Sequence, residues 1–316
     1  MTAPTLPASD PVALQTAAHI LREGGLVGMP TETVYGLAGN AAEADTVAKL
    51  YAAKGRPRFN PLIAHVTGLE MAQTLATFSP LAARLAQEFW PGPLTLVLPK
   101  RPDAPVCDLA NAGLDTIAIR APRHEAARAL LKSFGGPLVA PSANKSGGVS
   151  PTTAAHVLEG LGDQIDLVLD GGACPVGLES AVVAVEGDRA TLLRPGGLDR
   201  ASIEAITGPL GSPGQTNTPS SPGMLKSHYA PGASIRLNAM TAREGELLLG
   251  FGAMDCDLNL SPAGDLAEAA TRLFAALRTL DAREPTTIAI APIPETGLGE
   301  AINDRLNRAA APRETA

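Results

Sequence analysis

PTETVYGLAGNAAEADTVAKLYAAKGRPRFNPLIAHV, residues 30–66, decides how the rest of the chain is read. It opens with hydroxyls, a carboxylate and a glycine turn: Thr31, Glu32, Thr33, Tyr35 and Gly36. Val47, Leu50 and Tyr51 recur at helical spacing between Glu43 and Ala53, which predicts a helix with Lys54 near its end, where the helix dipole favours a cation. Gly55-Arg56-Pro57-Arg58 follows directly. Glycine admits a positive φ and proline fixes its own φ, so the helix stops there and the cations are expected on a stiff turn. Asn60-Pro61 and the run Leu62-Ile63-Ala64-His65-Val66 then predict entry into a buried strand whose only ionisable member is His65.

Upstream, Asp10-Pro11 reads as an N-cap with proline at the first helical position, opening a helix that ends at Gly24-Gly25. Leu26 to Met29 predicts a short buried strand, which places the hydroxyl-rich loop at a strand's C-terminal end, where open α/β sheets bind ligands. Downstream, a helix from Leu81 to Phe89 precedes the Trp90-Pro91-Gly92-Pro93 break and a strand from Leu94 to Leu98. Thr116 to Arg120 predicts another strand, Glu125 to Leu131 a helix, and Leu138 to Ala140 a short strand. That strand opens onto PSANKSGGVSP, residues 141–151, a second concentration of small polar residues, with a helix expected from about Thr152 and a strand at Leu167 to Leu169. Ser180 to Val185 and Ala190 to Arg194 flank Glu186-Gly187-Asp188 as a β-hairpin, which makes the sheet mixed.

Between Gly208 and Gly223 the sequence GPLGSPGQTNTPSSPG cannot bury enough apolar surface to fold alone. It predicts a flexible linker able to act as a lid, spanning about 50 Å when extended. Beyond it, strands at Ser234 to Leu237, Glu246 to Gly250 and Thr287 to Ala291 alternate with helices at Ala267 to Leu280 and Gly299 to Ala310. That alternation predicts a separate small α/β domain.

The 316 residues are 45% hydrophobic and 18% charged, enough chain for two ordinary domains with cores. A net charge of −7 argues against a protein that coats nucleic acid or an anionic membrane. Cys107, Cys174 and Cys256 have neither metal-like spacing nor an even count, so they read as small buried hydrophobes in a reducing cytoplasm. The N-terminus has no basic stretch followed by an apolar core, and no apolar run reaches membrane-spanning length, so neither a targeting signal nor a membrane partner is expected.

Lys54, Arg56 and Arg58 suit capture of a phosphate or carboxylate, as Arg120 and Arg194 do at the ends of apolar strands. Neither a nucleophile elbow nor a Walker loop is present in the sequence. Clustered cations with hydroxyls and amides, and no covalent nucleophile, leave two chemistries open. One is phosphoryl or nucleotidyl transfer, whose catalysis is mostly positioning and charge neutralisation. The other is an RNA-binding module that uses the same basic cleft.

Six ordered motifs, PTETVYGL, KGRPRFNPLIAH, PSANKSGGVSPT, ESAVVAV, LLRPG and SPGMLKSHYAP, resemble the YrdC/Sua5 family, in its longer two-domain Sua5 form. The tail, with LGFG and IPETGLGEAINDRLNRAA, is similar to the Sua5 C-terminal domain. The resemblance implies an α/β fold: a YrdC-like twisted mixed sheet with flanking helices and a cleft over residues 1–207, a linker or lid at 208–231, and a smaller Rossmann-like domain at 232–316. It also implies a synthase that joins L-threonine, bicarbonate or CO2, and ATP into threonylcarbamoyl-AMP and pyrophosphate, for t6A modification of tRNA. ATP is then a substrate, magnesium accompanies it, no organic prosthetic group is involved, and downstream tRNA threonylcarbamoyl-transfer enzymes are partners without stable nucleic-acid binding.

By the same resemblance, Thr33, His65, Arg120, Ala140 and Ser180 match the L-threonine side. Arg56, Asn60, Thr116, Ser142, Asn144, Ser150, Arg194 and Tyr229 match the ATP side, with Lys54 and Arg56 as catalytic cations. No metal ligand is identified, and Ala181 stands where the family's ESTVV pattern has threonine.

Overall fold

The computed structural model describes residues 2–212 and 228–312. The N-terminal part runs β1 (Thr5–Pro7), α1 (Pro11–Arg22), β2 (Val27–Met29), β3 (Gly36–Asn40), α2 (Ala44–Lys54), β4 (Ile63–His65), α3 (Leu69–Leu75) and α4 (Pro80–Phe89). It continues through β5 (Leu94–Pro99), β6 (Thr116–Arg120), α5 (Glu125–Phe134), β7 (Leu138–Val139), α6 (Ala154–Leu161), β8 (Leu167–Asp170), β9 (Ala181–Glu186), β10 (Arg189–Arg194) and α7 (Arg200–Thr207). The C-terminal part is β11 (Ser234–Arg236), β12 (Glu246–Gly250), β13 (Leu258–Asn259), α8 (Leu266–Asp281), β14 (Thr287–Ile290) and α9 (Leu298–Ala310).

The expected first helix forms as read, with the Asp10 carboxylate accepting the Val12 N–H at 2.8 Å and proline at its start. Gly55 caps α2 in the left-handed conformation at φ 58°, which closes the helix where the sequence predicted. Gly36, expected in a glycine turn, is by contrast the first residue of β3, which runs antiparallel to β2. A Cβ on Gly36 would sit 3.0 Å from the Ala140 Cβ, so glycine there permits close approach to the chain beyond β7. The short β1, α3, α7 and β13 also lack a clear periodic signature in the sequence.

Ten strands form one sheet among the described residues, in the order β1-β8-β2-β3-β7-β4-β6-β5-β9-β10. It is mixed: β4 pairs parallel with β6, while β9 and β10 make the expected antiparallel hairpin. Register places His65 beside Arg120 and Ala64 beside Val139, bringing three distant segments together in the middle of the sheet. The C-terminal sheet, β11-β14-β12-β13, is entirely parallel, and its core is built on α8 and α9 with Leu273, Phe274, Leu277 and Ile302.

The two parts dock closely. A Cβ on Gly177 would lie 2.4 Å from the Thr271 Cα on α8, so only glycine allows this backbone approach, and its φ is +74°. Helix α7 joins the first core through Ile203, while Arg200 reaches Glu300 on α9 at 2.5 Å. Among the described residues no helix is long and apolar enough to cross a membrane. The expected lid at 208–223 falls mostly on residues 213–227, outside the described residues.

Candidate active site

Strand ends and the loops after them converge on one cleft of about 560 Å³, its open mouth included. Thr33, Arg56, His65, Arg120, Ala140, Ser142, Ser180, Arg194 and Tyr229 line it, together with Thr31, Glu32's neighbour in the first loop, and with Glu179 and His228.

The first wall is built from the loop after β2. Thr31 donates its hydroxyl to the Val34 carbonyl at 2.6 Å, so in its 2.9 Å contact with Thr33 it is the acceptor. Arg120, at the end of β6, donates to Thr33 Oγ1 at 2.8 Å and to Glu32 Oε1 at 2.6 Å. The Glu32–Arg120 pair is almost fully buried on both sides. Burial raises the Glu32 carboxyl, but the Arg120 charge and hydrogen bonds outweigh it and leave the group below its usual range. His65 contacts the Ile63 carbonyl through Nδ1 at 3.1 Å. A carbonyl only accepts, so Nδ1 carries the proton and Nε2 is left as an acceptor. Burial, reinforced by Arg120, pushes His65 down to about 3, so it is neutral at physiological pH.

The second wall carries cations. Arg56 donates to the Asn60 and Pro61 carbonyls at 3.2 and 2.9 Å. Its burial is the main cause of a depression to about 10, to which nearby Arg194 adds, yet it stays charged at neutral pH. Arg194, at the end of β10, donates to the Ser180 carbonyl at 2.9 Å, and Ser180 Oγ lies 2.7 Å from Thr95 Oγ1. Glu179 lies between cations: Oε1 accepts from Ser150 Oγ at 2.5 Å and Oε2 from Arg305 Nε at 2.9 Å.

Lys54, Asn60, Thr116, Asn144 and Ser150 are not among the lining residues. The Lys54 ammonium, 2% exposed, points inward and donates at 2.5 Å to the carbonyls of Ser142 and Asn144, where it pins the 141–151 loop to α2. Its burial and the Arg56 charge pull its pKa well down. Arg58, third member of the expected basic cluster, is exposed. Asn60 is buried with neither side-chain oxygen nor nitrogen hydrogen-bonded, and His228 Nδ1 likewise has no partner among the described residues. Buried unpaired polar atoms are costly and are expected where a ligand binds. Thr116 is only partly buried at the start of β6.

Residues at or behind the cleft that were not predicted include Thr31 and His228 in its lining, Glu32 and Glu179 as the carboxylates that organise the arginines, and Arg305 from the C-terminal part. Glu32 and Glu179 sit inside motifs already singled out, PTET and ESAVV, so a buried carboxylate beside a strand-end arginine was available as a signal. Arg305 lies in an ordinary amphipathic helix and carries no local signal. The cysteines are free; Cys174 alone is buried, and burial pushes its thiol up to about 12.

Comparisons with known proteins agree over nearly the whole chain. The Sua5/YciO/YrdC family model, described as telomere recombination, matches residues 19–196, and the model for the threonylcarbamoyl-AMP synthase C-terminal domain matches 198–311. The threonylcarbamoyl-AMP synthase of Bacillus subtilis (strain 168) is 40% identical over 98% of this chain and 95% of its own. That of Pyrococcus abyssi (strain GE5 / Orsay) is 40% identical over 94% and 93%. The crystal structure of P. abyssi Sua5 complexed with L-threonine superposes with a TM-score of 0.89 at 37% identity, covering 98% of both chains.

Proposed function

Because this chain belongs to the Sua5/YciO/YrdC family of threonylcarbamoyl-AMP synthases, we propose that its cleft joins L-threonine, bicarbonate or CO2, and ATP into threonylcarbamoyl-AMP with release of pyrophosphate. The observation that supports this most directly is one cleft lined by Arg56, Arg120 and Arg194 together with a neutral histidine and small hydroxyls. The threonine amine takes up CO2 as a carbamate, and a carbamate oxygen attacks the ATP α-phosphorus. The bond from that phosphorus to the β-phosphate bridging oxygen breaks, and pyrophosphate leaves. Two anions meet in this step, so neutralisation and alignment by fixed cations are what the protein must supply.

We assign the Thr33–Arg120 wall to L-threonine. Arg120 faces the carboxylate, His65 Nε2 accepts an N–H or O–H, and Ala140 and Ser180 complete that end. Arg56, Ser142, Arg194 and Tyr229 face ATP, and the unpartnered Asn60 side chain is available to it. Lys54 acts through the carbonyls it holds, shaping the Ser142 loop, and Asn144, Ser150 and Thr116 support the nucleotide side from behind.

The donors present do not suit a protein-held magnesium. Among the described residues there is no group of three His, Cys, Asp or Glu able to hold a metal, and both carboxylates at the cleft are engaged by arginines. Magnesium entering with ATP is therefore assigned to the phosphates. A cytoplasmic location and transfer of the product to tRNA-modifying enzymes follow from the same assignment.

Pyrophosphate release measured with ATP, L-threonine and bicarbonate, omitting each in turn, tests the proposal. Release that continues undiminished without threonine would overturn it. No release, together with RNA binding that weakens steeply with added salt, would favour a nucleic-acid module.

A further inference from the structure

We propose that Arg305, carried by α9 of the C-terminal domain, is a positioning residue for the nucleotide wall, acting through Glu179 and Tyr229; this rests on the ATP assignment above. Arg305 is completely buried, a costly place for a cation unless its surroundings answer it. Asp304 on its own helix does so in part, its Oδ2 accepting from Nη1 at 2.8 Å, and atoms of the other domain supply the rest. The Arg305 Nε donates to Glu179 Oε2 at 2.9 Å and its Nη1 to the Pro195 carbonyl at 2.9 Å, just beyond β10 and Arg194. Glu179 lines the cleft, and with its other oxygen taken by Ser150 its rotamer is set from two sides.

The same guanidinium lies 5.3 Å from the centroid of the Tyr229 ring, a cation–π distance. Tyr229 also lines the cleft, and two other parts of the C-terminal domain hold it. Its ring stacks on Phe274 of α8 at 5.5 Å between centroids, and the preceding His228 N–H donates to the Arg308 carbonyl on α9. The backbone of Tyr229 has φ 63°, a left-handed conformation that a tyrosine keeps only when its surroundings enforce it. Arg305 thus joins both cleft residues to one helix. Its Nη2 has no hydrogen-bond partner among the described residues, which leaves a buried donor beside this wall.

An arginine that merely glued the domains together would behave like Arg200, which bridges α7 to Glu300 on α9 without touching the cleft. Steady-state pyrophosphate release separates the two roles. Arg305→Met is expected to raise the ATP KM by about tenfold or more while the threonine KM stays within about twofold, and Arg305→Lys to recover part of the loss. Arg200→Ala should leave both constants at wild-type values. An unchanged ATP KM in Arg305→Met, an equal rise in both KM values, or the same shift in Arg200→Ala would overturn the proposal. If Arg305→Met shows no cooperative thermal transition, Arg305→Lys carries the test: a selective rise in ATP KM supports it and wild-type constants overturn it. Inactive wild-type protein would instead refute the synthase assignment itself.

Discussion

Two buried carboxylate–arginine pairs flank the cleft, and they differ in where the arginine comes from. Arg120 meets Glu32 inside the large sheet, at the end of a strand whose register fixes it beside His65. Arg305 meets Glu179 across the domain boundary, from a helix whose first residue is more than a hundred positions further along the chain. In each case burial works to raise the carboxyl, and the arginine charge together with hydrogen bonds outweighs it, with Arg194 helping at Glu179. The first pair holds Thr33; the second holds Ser150 and stands against Tyr229. The same chemistry therefore serves as an internal brace on one wall and as an interdomain brace on the other.

The sharpest way to break this comparison is to neutralise each carboxylate. Glu32→Gln leaves Arg120, among the described residues, with only the Gly92 carbonyl and the Thr33 hydroxyl as further hydrogen-bond partners and is expected to cost about 3–5 kcal/mol in urea unfolding. Glu179→Gln should cost visibly less, because Arg305 keeps Asp304 at 2.8 Å; equal costs would refute the distinction.

Arg194→Ala removes a cleft cation and should lower turnover by about 100- to 1,000-fold while far-UV circular dichroism is preserved. Wild-type turnover would remove Arg194 from the ATP side. Arg56→Ala is expected to behave in the same way.

A smaller effect concerns acid. His65 and His228 are both held near 3 by burial, so the folded protein keeps them neutral while the unfolded chain binds protons below about pH 6.5. Each therefore removes stability as pH falls below that value, by about 2 kcal/mol at pH 5. Glu32 and Glu179 act only further down, because their folded pKa values lie below that of an unfolded carboxyl: the stability they contribute is present above the unfolded value and is lost as pH falls through the folded one. His65→Gln should flatten the dependence of thermal midpoint on pH between 7 and 5, and an unaltered slope would show that His65 does not carry it.

The smallest effect is expected at Arg200, whose pair with Glu300 is about one-third exposed on each side. Arg200→Ala should change stability by less than about 1 kcal/mol. A larger loss would mean that the interdomain seam depends on its rim rather than on Arg305.

Much of the first wall was legible from residues 30–66 and the strand ends. Helical spacing and the Gly55 stop place α2 and Arg56, and apolar runs put His65 and Arg120 on two strands, which the register then sets side by side. The direction of Lys54 was not legible, because a lysine at a helix end reads as solvated until the carbonyls of a loop ninety residues away are brought beneath it. The strand at residues 36–40 was not read, because two glycines in five residues obscure strand alternation; the close approach of Ala140 accounts for Gly36, and that of Thr46 and Leu26 for Gly39.

By itself, then, the sequence determined the mixed α/β fold, the second α/β unit and a set of candidate cations, because periodicity and strand-end chemistry are local properties. Tertiary structure alone decided which cations enter the cleft, which merely hold its loops, and that α9 reaches Glu179 and Tyr229 in the cleft wall. Those outcomes depend on contacts between residues distant in the chain, and a buried arginine is distinguished from an exposed one only by what packs against it.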